Sequence, residues 1–130
     1  MKLVVGVDCG RELVRALMSA ERRVWIVCPF ISCCVAEELL PRVEDGKVLT
    51  SLNSEIMTCI NVVESRGYIV KFLENLHAKL YVIDDCAYIG SVNLTESGLR
   101  RNYEVILMVC KGEELFDDLV RAFEALWSIS

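Results

Sequence analysis

Residues 77–93, HAKLYVIDDCAYIGSVN, decide the fold of this 130-residue chain. Two β-rich runs, Lys79–Ile83 and Ala87–Ile89, flank the acidic pair Asp84 and Asp85, so the stretch reads as two antiparallel strands joined by a tight turn. The two-residue period of a strand puts His77, Lys79, Tyr81 and Ile83 on one face. Imidazole and ammonium then point the same way, about 7 Å apart along the strand. After the second strand Ser91 and Asn93 again share a face, and Gly90 beside them would let a backbone or a ligand approach closely. Polar groups suited to an oxyanion thus converge from adjacent strands. Lys79 supplies a point charge, Asn93 an amide donor, Ser91 a hydroxyl, and His77 a nucleophile or an acid.

Outward from this stretch, helical and strand-like patterns alternate. Leu13, Val14, Leu17 and Met18 follow helical spacing, as do Leu115, Leu119, Phe123, Leu126 and Trp127. Ile56, Ile60 and Val63 form a third apolar face, with Asn53 or Ser54 as its cap. Further β-rich runs lie at Val24–Cys28, Lys47–Leu52, Tyr68–Phe72 and Val105–Val109. Pro29 follows one strand, and Pro41 ends a short helix over Val35–Leu40. Strands separated by helices predict an α/β fold with a mixed, largely parallel sheet covered by helices on both faces. No linker, repeat or low-complexity segment interrupts the pattern, so one domain spanning residues 1–130 is expected.

Composition narrows the function. The chain is 54% hydrophobic, a high share for a domain whose surface is large relative to its volume. Part of that apolar excess points to a partner chain. No run approaches the ~20 apolar residues that span a bilayer. Leu3–Val7 is stopped by Asp8 and is too short for a secretory signal, so a cytoplasmic address without a membrane is expected. The seven cysteines form no CxxC pair, and the chain holds a single histidine, which argues against zinc. Most of the cysteines read as small buried hydrophobes; inside a cell, a disulfide would point to a hyperthermophilic source. The net charge of −5 argues weakly against a nucleic-acid partner. Its distribution softens that objection, because residues 66–111 carry a balance of +1 and the remainder −6.

The pattern HxKxxxxD followed by GSxN resembles the HKD signature of the phospholipase D superfamily. The wider string HAKLYVIDDCAYIGSVNLTESGLRRNYE is similar to the single-motif, nuclease-like members, down to Glu104 eleven residues after Asn93. Between Asp84 and Gly90 the chain has one residue fewer than the family pattern usually has. The resemblance implies an α/β/α sandwich and a metal-independent phosphodiesterase without a cofactor. It implies His77 as the nucleophile that forms a phosphohistidine. Lys79 and Asn93 would hold the non-bridging oxygens, Ser91 would add a hydrogen bond, and Glu104 would accept from the other His77 nitrogen. Asp84 would support the architecture of the motif rather than touch substrate.

The family mechanism uses two histidines and this chain offers one. A complete site therefore requires a homodimer with the site shared across a two-fold axis. A lone histidine in a strand is more often structural than catalytic, and it is Lys79, Ser91, Asn93 and Glu104 at family spacing that reverse this. Arg100 and Arg101 either contact a phosphate backbone or face water. The substrate reading is nucleic acid, DNA or RNA. The rivals are a phospholipase or phosphatidyl transferase, and a module of the same fold that binds or dimerises without turnover.

Overall fold

Seven strands and five helices are described by a computed structural model covering residues 1–130. In chain order they are β1 (Lys2–Gly6), α1 (Asp8–Met18), β2 (Arg23–Val27), α2 (Cys33–Leu39), β3 (Asp45–Thr50), α3 (Ile60–Ser65), β4 (Tyr68–Phe72), β5 (Leu80–Ile83), β6 (Cys86–Gly90), α4 (Glu96–Arg100), β7 (Glu104–Cys110) and α5 (Glu114–Ser128). All strands join one sheet in the order β1-β7-β6-β5-β2-β3-β4. Side chains alternate between its faces as the pleat requires. Val24, Ile26, Tyr81, Ile83 and Ile106 pack under α1, α2 and α3, whereas Trp25, Val27, Leu80, Val82 and Val109 pack under α5.

The mixed sheet with helices on both faces agrees with the sequence reading, but its parallel share is smaller than expected. Only β2–β3 and β3–β4 are parallel; the other four ladders are antiparallel. The reason lies in the connections. Helices α2 and α3 carry the chain back across the sheet, which parallel pairing requires. Between β4 and β5 no helix intervenes, so the chain crosses the sheet at one end and β5 must run antiparallel to β2. β1, read only as a short apolar run, is an edge strand against β7.

The third apolar face is broken. A short 3₁₀ turn at Glu55–Thr58, capped by the Ser54 hydroxyl on the Ile56 N–H, is followed by α3 after Cys59. Cys59 is bonded to Cys33 at the start of α2, and Cys86 to Cys110 across β6 and β7. Burial as a lone hydrophobe therefore holds only for Cys9 and Cys28, while Cys34 is free and exposed. Pairs 26 and 24 residues apart are brought together only by tertiary structure. No helix is long and apolar enough to cross a membrane.

Candidate active site

The crossing segment between β4 and β5 delivers His77 and Lys79 to the carboxyl ends of β2 and β3. Strand β5 begins only at Leu80, paired with Val27, so both residues precede the strand instead of lying on its face. The physical reason is that their neighbours β2 and β6 end here, leaving the backbone of 77–79 no ladder to join beyond Gly90. Lys79 still meets Gly90, whose N–H lies 3.5 Å from the Lys79 carbonyl. The Lys79 ammonium donates to the His77 carbonyl at 3.3 Å. The His77 side chain is exposed and the Lys79 side chain half-buried.

Ser91 and Glu104 meet where β6 leaves the sheet and β7 enters it. The Ser91 hydroxyl donates to Glu104 Oε1 at 2.6 Å and accepts from the Val105 N–H at 3.0 Å. Glycine is required at position 90, because a Cβ there would lie 2.1 Å from the Val105 carbonyl oxygen. It is therefore a neighbouring backbone that approaches Gly90. The short turn keeps the register intact: Ile83 pairs with Cys86 and Leu80 with Ile89 around Asp84 and Asp85.

Two buried groups whose polar contacts the sequence does not reveal hold the loop at Asn93. The Cys28 thiol donates toward Asn93 Oδ1 at 3.5 Å and toward the Phe30 carbonyl at 3.3 Å, and its sulfur accepts from the Leu94 N–H. Burial pushes the Cys28 thiol up, so it stays protonated and can donate. An amide oxygen engaged in this way leaves the Asn93 NH₂ free to face an oxyanion. The Tyr81 hydroxyl donates to the Val92 carbonyl at 2.6 Å, and burial keeps that phenol neutral as well. Strand periodicity places Tyr81 on one face with Ile83, but its burial, its bond to Val92 and the role of Cys28 follow only from the tertiary pairing.

Asp84 lies at the far end of the hairpin, at φ 51°. Its carboxylate accepts backbone N–H groups from Arg22 at 2.8 Å, Arg23 at 3.0 Å and Glu21 at 3.0 Å. Burial pushes its carboxyl up, but these three bonds outweigh that and hold it below the ordinary range. Asp85, read as turn chemistry, also pairs with Arg22 at 2.9 Å. Arg100 is engaged by Glu38 at 2.8 Å and Glu96 at 3.1 Å, and Arg101 is exposed. No three His, Cys, Asp or Glu side chains are grouped so as to hold a metal ion.

A protein family described as "Cardiolipin synthase, PLD-like domain" matches residues 11–127. No curated protein sequence matches significantly. Among solved structures, Nuc, a phospholipase D family member of Salmonella typhimurium, is similar with a TM-score of 0.75 at 18% identity, over 98% of this chain and 94% of that one. NucT of Helicobacter pylori gives 0.74 at 17%, with 98% and 94% covered. TrmBL2, an archaeal chromatin protein whose structure shows a novel mode of DNA binding, gives 0.66 at 13%, over 98% of this chain and 52% of its own. With the family match running from α1 into α5 and the same fold in these structures, the chain belongs to the phospholipase D-like domain family.

Proposed function

We propose that the chain is a metal-independent nuclease that cleaves DNA or RNA through a phosphohistidine, in an active site completed by a second copy of the chain. The observation that supports this reading best is the Ser91–Glu104 hydrogen bond where β6 ends and β7 begins, with the Lys79 backbone reaching Gly90 beside it. A neutral His77 nitrogen attacks phosphorus, and the bond to the leaving oxygen breaks with its electron pair. The leaving alkoxide takes a proton from the partner's His77. Lys79 and the Asn93 amide stabilise the non-bridging oxygens as charge shifts. Water then displaces the imidazole from phosphorus while the partner's His77, now neutral, takes the water's proton. Glu104 is held by Ser91 through one oxygen, and its other oxygen is the acceptor that would fix the His77 tautomer.

The dimer has independent support. Leu3, Val5, Ile89 and Val105 are exposed on adjacent strands β1, β7 and β6, next to the Ser91–Glu104 pair. Val5 pairs with Val105, and Leu3 and Ile89 both pair with Leu107, so the strip is continuous across three strands. Tyr103 stands beside it, 88% exposed. A strip of this kind rimmed by polar site residues fits an isologous contact with a second copy.

The test incubates the protein with labelled DNA, RNA and phosphatidylglycerol vesicles, each with and without EDTA. Cleavage of nucleic acid alone, insensitive to EDTA, is expected; turnover of lipid alone would remove the nuclease reading. Heterodimers of wild type with His77→Asn separate the two histidine roles. They should be nearly inactive on ordinary diesters, because an alkoxide leaving group needs a proton. A nitrophenyl diester needs little such help and should label the remaining histidine once. Full ordinary-diester activity in purified heterodimers would end the two-histidine mechanism.

A further inference from the structure

Beside His77 lies a hollow of about 320 Å³, walled by Phe30, Leu52, Asn53, Glu74 and Asn75. Phe30 is 56% exposed although the backbone on either side of it is tied down. The Pro29 carbonyl accepts the Ser51 hydroxyl at 2.7 Å and the Thr50 hydroxyl at 3.4 Å. The Ile31 N–H and carbonyl are both bonded to the Ser54 hydroxyl, and the Phe30 carbonyl accepts the Cys28 thiol. A large apolar side chain on a rigid backbone held out to solvent is a preorganised stacking surface, and it loses little freedom when something lies on it. Phe30 also borders a second hollow of about 320 Å³ on the side of Ile31, so it stands as a partition between two recesses.

The chemistry of the walls selects the occupant. Away from His77, which lines the first recess, no lysine or arginine lines either one, and the first contains the Glu74 carboxylate, so a second phosphate is not suited to them. An acyl chain would require a continuous apolar channel, whereas two amides and a carboxylate close this one. A nucleobase has apolar faces and a polar edge, matching Phe30 and Leu52 on one hand and Asn53, Asn75 and Glu74 on the other. Only a base whose edge and faces are not already engaged in a duplex can present both.

We infer that this hollow is a subsite for one unpaired nucleobase, stacked on Phe30, next to the phosphate attacked by His77, and that the substrate is therefore single-stranded. The inference rests on the nuclease reading and names its substrate class. Aromatic stacking carries about 1–3 kcal/mol per base. Phe30→Ala should thus lower kcat/KM for a single strand by about ten- to a hundredfold, relative to kcat/KM for methyl nitrophenyl phosphate, which lacks a base. The fall should appear mainly in KM. Phe30→Trp should restore the ratio, and wild type should cut a single strand well before the matching duplex.

Equal losses on both substrates, no loss at all, or equal cutting of single strands and duplexes would overturn the subsite while leaving a nuclease. A wild-type protein that splits the nitrophenyl diester through His77 but cuts no strand would remove the nuclease reading, and the subsite with it.

Discussion

Replacing Asp84 separates support of the motif from chemistry at the site. Three backbone N–H groups, of Glu21, Arg22 and Arg23, end on its two carboxylate oxygens. The side chain is only partly buried, so each bond is discounted for water to about 0.5–1 kcal/mol. Its φ of 51° adds a second term, because alanine in the left-handed region is disfavoured by roughly 1–2 kcal/mol whereas asparagine and glycine tolerate it. Asp84→Asn keeps the acceptor shared by Arg22 and Arg23 and loses the one for Glu21, a loss of about 1 kcal/mol. Asp84→Gly loses all three bonds, about 2 kcal/mol, and Asp84→Ala adds the backbone term for about 3–4 kcal/mol. At about 3–4 °C per kcal/mol for a domain of this size, calorimetry should show Tm falling in the order Asn, Gly, Ala by roughly 3, 7 and 12 °C. A carboxyl held below its ordinary range stabilises the fold above the unfolded pKa of about 3.9 and loses that contribution as pH falls through the lower folded value. The gap between wild type and Asp84→Asn should therefore narrow below about pH 4. Well below each Tm, kcat should be unchanged. A variant with native Tm and a large fall in kcat would refute the reasoning by showing that Asp84 acts in the chemistry.

Glu104→Gln replaces a carboxylate by a neutral amide beside Ser91 and should lower kcat by about 10²–10⁴-fold with little change in Tm, as measured on labelled strands; an unchanged rate would show that Glu104 orients nothing. Gly90→Ala forces a methyl against the Val105 carbonyl and should destabilise by about 1–3 kcal/mol and depress activity together, because β7 carries Glu104. Alkylation and mass spectrometry should find Cys34 alone reactive in the native protein, three thiols after unfolding without reductant, and seven after reduction. Each bond should contribute about 3 kcal/mol, so reductant should lower Tm by on the order of 10 °C per bond. Seven reactive thiols after unfolding alone would contradict the pairing.

Much of the architecture is local and therefore legible in the sequence. The apolar spacing of Leu13, Leu17, Leu119 and Phe123 is a property of single helices, and those residues are buried on α1 and α5. The Asp84–Asp85 turn and the spacing from His77 to Asn93 and Glu104 depend on a few dozen neighbouring residues, so the hairpin and the candidate site could be read together. Helix α4 escaped notice because five residues carry too little periodicity, although Thr95 caps it through the Gly98 N–H. Only the tertiary structure decided which strands are neighbours. Strand direction followed from where the chain could cross without a helix, and that crossing places His77 beside Phe30 and the loop after β3. The same pairing sets Cys28 beneath Asn93 and joins Cys33 to Cys59 and Cys86 to Cys110. Contacts between residues distant in the chain are set by the packing of whole elements, whereas turns, caps and amphipathic faces are set within a few residues.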